Sequence, residues 1–231
     1  MPHLLLLLAL AFAAAPVFVP FDGFDPNLYP VPQRNPPVQP AGWAFAIWGP
    51  IYLWLILGAG VGLWKKRDAP SWQAYRAPLC LSLAVGTVWL SVAERSPVWA
   101  TVLIWVMLVT AIIAYLRTPR RDRGFAQGPV GLYAGWLTAA SSVSVGLLLA
   151  GYGVLGALLA AYVALCLALG IGALVQWRRP GAGYPAGIAW ALVGIASQNA
   201  GLAPGLMVIS GAAALGFAFW SVKGLRGPKT A

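Results

Sequence analysis

The 231-residue chain has little of what conventional catalysis requires. With one histidine, His3 at the start, and five carboxylates in all, it lacks the parts for a His-based metal site, haem ligation or a Ser-His pair. A proton relay across the chain is equally short of acids. The expectation is therefore a protein without enzymatic activity. Two cysteines, Cys80 and Cys166, fall in separate apolar segments and read as small buried hydrophobes rather than a disulfide. No glycine loop followed by lysine is present to cradle a phosphate.

Charge is also scarce. Only 9% of residues are charged while 60% are hydrophobic, and the mean hydropathy is +0.78. A soluble core cannot absorb that much apolar surface, so lipid must solvate most of the chain. Eight apolar segments are legible, at about 3–20, 41–64, 77–94, 97–116, 129–150, 153–176, 185–201 and 203–222. Each approaches the length that crosses about 30 Å at 1.5 Å per residue. The fold class is an all-α integral membrane protein, a single membrane domain over residues 1–231 built as a bundle of about eight transmembrane helices.

What charge there is has a pattern. Thirteen of the fifteen Lys and Arg lie in alternate gaps between the apolar segments, and only Arg34 and Arg95 lie in the others. The positive-inside rule then places both termini in the cytoplasm, together with the loops that hold Lys65 to Arg76, Arg117 to Arg123 and Arg178 to Arg179. The net charge of +10 thus comes from short clusters at helix ends, which argues against nucleic-acid binding. The first segment resembles a signal peptide, with Ala13 to Ala15 as a small-residue site. The n-region has no Lys or Arg and Pro16 follows at once, so an uncleaved helix is favoured.

Proline marks the helix starts at Pro97, Pro129, Pro185 and Pro204. Pro50, well inside the second segment, is expected to kink it. Gly58 and Gly62, and the run Ala139, Ala140, Ser141, Ser142 and Ser144, are expected to let helices approach closely. Residues 21–40 form one long outer loop with six prolines and the aromatics Phe21, Phe24 and Tyr29, either an exposed spacer or a lid over the bundle mouth.

Directly after that loop stand Trp43, Phe45, Trp48, Tyr52 and Trp54. At 100° per residue Phe45, Trp48 and Tyr52 share a face, with Trp43 and Trp54 opposite. Trp89 and Trp105 lie at matching depth in the third and fourth segments, so a flat apolar ligand could stack there. Trp43, Trp64, Trp99, Trp177 and Trp220 sit near segment ends and read as an interfacial belt. Glu94 and Arg95 read as an interfacial pair, with a pocket-facing Glu94 as the alternative. Gln198 and Asn199 read as capping or bridging helices.

The stretch P-A-G-W-A-F-A-I-W-G-P-I-Y-L at 40–53 resembles the signature of the tryptophan-rich sensory protein family (TspO/MBR, related to the translocator protein), in its longer bacterial branch. G-L-Y-A-G-W-L-T-A-A at 131–140 is similar to the family's Y-x-x-W-x-x-x-A helix, and I-A-W-A-L-V-G-I at 188–195 to its W-A-L-I-G-I segment. The resemblance implies a five-helix core within the bundle, enclosing a site for porphyrins, sterols or similar molecules under a loop lid. It adds Tyr133 and Trp136 to the candidate ligand-binding set of Phe45, Trp48, Tyr52 and Trp89. A porphyrin or tetrapyrrole is the implied ligand, with no obligatory cofactor and no metal ligands, and a light-dependent porphyrin-degrading activity is the enzymatic alternative that the resemblance carries. A homodimer and the cell inner (cytoplasmic) membrane are the implied assembly and location. Two positions depart from the family: Gly86 and Ser144 stand where it usually has Asn.

Three functions fit these residues: a ligand-binding sensor or regulator, a carrier for small hydrophobic compounds, and an accessory subunit of a larger respiratory or photosynthetic membrane complex.

Overall fold

The computed structural model describes residues 1–19 and 23–226; Phe21 of the loop and Lys229 of the tail lie outside them. Among the described residues there are eight α-helices and no strand. They are α1 (Pro2–Phe18), α2 (Trp48–Trp64), α3 (Pro70–Ala93), α4 (Pro97–Arg117), α5 (Gly128–Gly151), α6 (Ala157–Arg178), α7 (Gly183–Gln198) and α8 (Pro204–Arg226). A 3-10 segment, Gly42–Ile47, leads into α2, and one π-helical turn, Arg123–Gln127, leads into α5. With these leads included, six spans are long and apolar enough to cross a bilayer. The protein is thus a multi-pass membrane protein. At 17 and 16 residues, α1 and α7 rise only about 24–26 Å.

Helix α5 is the hub, packing against α2, α4, α6 and α7. Lipid offers no hydrophobic drive for helices to associate, so contact distance and polar satisfaction must hold them. The α5–α7 seam meets that need with two small-xxx-small pairs, Gly131 with Gly135 and Gly183 with Gly187. A Cβ on Gly187 would stand 2.6 Å from the Leu132 carbonyl oxygen, and one on Gly135 would overlap that of Tyr184. Only glycine admits so close an approach of the backbones. These four glycines escaped the sequence reading, whose candidates Gly58 and Gly62 instead make room for the Phe125 carbonyl and the Trp72 ring.

Two expectations about helix boundaries are corrected. Pro50 is not deep inside a helix: α2 begins at Trp48, and Pro50 occupies its first turn, where its missing N–H costs nothing. Helix α3 begins at Pro70 rather than near 77, so Arg76 belongs to a helix and not to a loop. Its side chain is fully buried. The guanidinium donates to the carbonyls of Gly62, Lys66 and Arg67, each at 2.9 Å. It thereby caps the C-terminal end of α2, where orphan carbonyls otherwise have no partner. Beside it, Trp72 Nε1 donates to Asp122 at 2.7 Å and ties this corner to the α4–α5 connection.

The remaining surface agrees with the lipid reading. Trp43, Trp64, Trp99, Trp177 and Trp220 are all among the exposed large hydrophobics. Both cysteines are free, but Cys166 faces outward from α6 while Cys80 is buried, so only one of them is the buried hydrophobe expected. Glu94 and Arg95 are exposed in the α3–α4 turn.

Candidate functional site

The residues after the proline-rich loop build one wall of a cavity. Phe45 comes from the 3-10 segment, and Trp48 and Tyr52 from the first turns of α2. Four residues apart on one helix face, Trp48 and Tyr52 stack with centroids 5.4 Å apart and 17° between planes. Trp136 of α5 meets Trp48 edge-on at 6.0 Å and Phe45 edge-on at 5.9 Å. Trp89 of α3 is held by its indole N–H, which donates to the Ala100 carbonyl at 2.8 Å. Phe45, Trp48, Tyr52, Trp89 and Trp136 together line a cavity of about 240 Å³.

The sixth candidate is placed differently. Tyr133 is fully buried, shares a hydrogen bond with Ser82 at 2.9 Å, and backs the rings of Phe12 and Trp48 without lining the cavity. Trp105 is also absent from the lining, where α4 contributes Ile104 and Met107 instead. Nor does Glu94 reach the cavity.

Phe12 is the lining residue that sequence reasoning missed. Helix α1 packs between α2 and α3, and its Phe12 ring meets Tyr52 at 5.1 Å and Trp48 at 5.7 Å, both edge-on. The only available signal was a single aromatic within a run of Leu and Ala.

The proline-rich loop lies over the outer side of this cavity. Gly23, Phe24, Gln39 and Pro40 enclose a smaller space of about 60 Å³ that shares Phe45, Trp89 and Trp136 with the larger one. Phe24 meets Trp89 edge-on at 6.1 Å. Four backbone or side-chain hydrogen bonds fasten the segment to the bundle: Val31 N–H to Gly151, Asn199 Nδ2 to Pro37, Ala41 N–H to Gly194, and Trp190 Nε1 to Ala44, at 2.7–3.0 Å. Asn199 therefore bridges α7 to the loop, in line with the bridging role expected of it. Tyr29 is buried against Gly151, and burial raises its phenol pKa, with Tyr152 adding to the shift.

Chemically the cavity is almost wholly apolar. Its side-chain polar groups include the Trp48 indole N–H and the Tyr52 hydroxyl, together with the Trp136 indole N–H, which is buried and has no hydrogen-bond acceptor among the described residues. An unpaired buried donor costs free energy that a ligand acceptor would recover. The lining includes no His, Cys, Asp or Glu, so it is suited to stacking and shape rather than to acid–base or metal chemistry.

Comparison with known families bears directly on this arrangement. The profile of the TSPO-like protein family matches residues 5–222, from the first turn of α1 to the last turns of α8. The chain belongs to the TSPO-like protein family. No curated protein and no solved structure matches it. Membership in the TSPO-like family agrees with a membrane ligand-binding protein, and the match takes in every helix that walls the cavity, α1 included.

The two departures seen in the sequence acquire a structural reason. Gly86 lies beneath the Phe12 ring, where a Cβ would stand 2.6 Å from a ring carbon. An asparagine there would displace Phe12, so this TSPO-like chain fills with an α1 aromatic the space that the amide would take. Ser144 lines the smaller space, but its hydroxyl is occupied within its own helix, bonding the Ser141 carbonyl at 2.8 Å. Neither position offers a ligand the amide that the resemblance led one to expect.

Proposed function

We propose that the protein is a membrane ligand-binding sensor or regulator that holds a planar hydrophobic molecule, of the porphyrin or tetrapyrrole kind, among Phe45, Trp48, Tyr52, Trp89 and Trp136. The observation that carries this reading is the parallel Trp48–Tyr52 pair facing into a largely apolar cavity, beside a buried Trp136 N–H that has no acceptor among the described residues. Stacked rings supply a flat π surface, and the indole N–H supplies orientation to a ligand carrying a carbonyl or carboxylate.

Size bears on the order of events. Small-molecule sites commonly measure about 300–1,000 Å³, and this cavity of about 240 Å³ lies below that range. A tetrapyrrole therefore enters by displacing Phe45 or the loop segment around Phe24 and Pro40, which merges the two spaces. The loop is the lid in this scheme, and binding proceeds without chemical conversion. In this reading the protein resides in the inner membrane, and the basic clusters at the opposite end support placing the cavity toward the non-cytoplasmic side.

Titration of the purified protein with protoporphyrin tests the reading through its intrinsic tryptophan fluorescence. Saturable quenching is expected, and it should vanish in the Trp48→Leu/Trp136→Leu variant. Unchanged quenching in a folded double variant would remove the proposed site.

A further inference from the structure

At the end of the bundle opposite the lid lies a second, larger cavity of about 710 Å³. Three separate parts of the chain wall it: the α4–α5 connection with Arg120 and Arg123, the end of α6 with Gln176 and Arg179, and the end of α8 with Lys223. Its lining holds four basic residues and no acidic one. Nothing in the outer site or its proposed ligand uses these groups.

Their hydrogen bonding is incomplete in a specific way. Arg179 is 6% exposed, and its Nη2 donates to the Thr118 carbonyl and, at 3.2 Å, to the Thr118 hydroxyl. Its Nε–H has no partner. Gln176, at 7% exposed, donates from Nε2 to the Gly181 carbonyl at 3.3 Å, and its Oε1 has no partner. A buried cationic donor and a buried neutral acceptor thus stand three residues apart on one wall, each with an unpaired atom, which is costly unless a ligand completes them. Burial lowers the Arg179 pKa, as does Arg120, with Tyr115 acting the other way, so a neighbouring anion would relieve the strain on that charge.

We propose that this cavity is a binding site for a phosphate-bearing, hydroxyl-bearing anion, the chemistry of a glycerophosphate headgroup. Arg and Lys from three elements converge on the phosphate oxygens, and Gln176 Oε1 accepts from a hydroxyl. The same chemistry occurs in an anionic membrane lipid and in a soluble glycerol phosphate. Trp177 and Trp220 stand on the α6 and α8 walls, exposed at interfacial depth, where headgroups lie.

Native mass spectrometry of the full-length protein, titrated with phosphatidylglycerol or phosphatidylcholine in detergent, tests the site. Preferential retention of phosphatidylglycerol is expected, with affinity falling about fivefold for each charge removed in Arg120→Gln/Lys223→Gln. Both residues are exposed, and Arg120→Lys/Lys223→Arg, which keeps the charges, should retain binding. Lys65→Gln/Arg67→Gln removes two exposed charges at the same end but outside the cavity, and should change affinity less than twofold. Equal losses in the two neutralised pairs, or no preference between the lipids, would overturn the proposal. Displacement of the lipid by glycerol 3-phosphate would identify the soluble anion as the occupant, and failure to displace it would identify the lipid; either outcome keeps the site.

Discussion

Phe12 and Gly86 occupy one space: the ring of the first sits where a side chain on the second would be, 2.6 Å from the ideal Cβ position. The fit couples α1 to the wall of the aromatic cavity. Gly86→Asn should therefore lower thermal stability by about 1–3 kcal/mol, the usual cost of overpacking. Phe12→Ala on the same background should recover part of that loss, giving a non-additive coupling of about 0.5–3 kcal/mol. Thermal melts of the four proteins in one detergent measure it, and simple additivity would show that the two positions do not compete.

Trp136 tests the unpaired donor by itself. A Trp136→Phe replacement keeps an aromatic ring but removes the indole N–H and part of a buried side chain, so the ligand-free protein should lose stability through packing and not through a broken hydrogen bond. Binding of a porphyrin carboxylate should weaken more than binding of an esterified porphyrin. Fluorescence titration with the two ligands makes the comparison, and equal losses would mean that the N–H makes no ligand contact.

The lid is fastened at identifiable points, and one exposed residue in it reports on opening. Arg34 is exposed within the loop and is a trypsin site. Asn199→Ala removes the hydrogen bond to the Pro37 carbonyl, worth about 1 kcal/mol, and should raise the open population about fivefold. Gly151→Ala should act more strongly, because any Cβ there overlaps the Tyr29 ring. Cleavage at Arg34 under limiting trypsin, followed by gel, should rank Gly151→Ala above Asn199→Ala above the unmodified protein. Bound protoporphyrin should slow all three.

Arg76 is structural, and its replacement has a predictable hierarchy. Arg76→Leu strands the carbonyls of Gly62, Lys66 and Arg67 and should cost about 1.5–3 kcal/mol or more. Arg76→Lys keeps the charge but not the planar fork and should fall between the two. Melting temperatures order the series, and porphyrin affinity in the surviving protein should be unchanged because Arg76 lies away from the cavity.

Much of the candidate site was legible because its signals are local. The α-helical period puts Phe45, Trp48 and Tyr52 on one face; Trp48 and Tyr52 stack as that period requires, while Phe45 reaches the same cavity from the 3-10 segment. Tyr133 entered through a motif, and a motif carries no information on whether a ring faces a cavity or its backing wall. Phe12 was hidden by its context: the first helix was read for its likeness to a leader, so its two phenylalanines, Phe12 and Phe18, drew no attention. Arg76 was assigned to a loop because hydropathy stops at the polar residues Gln73 and Arg76, whereas a helix continues wherever its polar groups find partners.

Composition and the placement of Lys and Arg were enough to establish a helical membrane protein with about eight segments and its basic ends on one side, since apolar length and flanking charge act residue by residue against the bilayer. Tertiary structure alone decided that α5 and α7 meet through Gly131, Gly135, Gly183 and Gly187, that Phe12 occupies the space above Gly86, and that Arg120, Arg179 and Lys223 face one cavity. Those arrangements depend on which surfaces of distant helices touch, and inside lipid that choice rests on steric fit and polar pairing, which hydropathy does not encode.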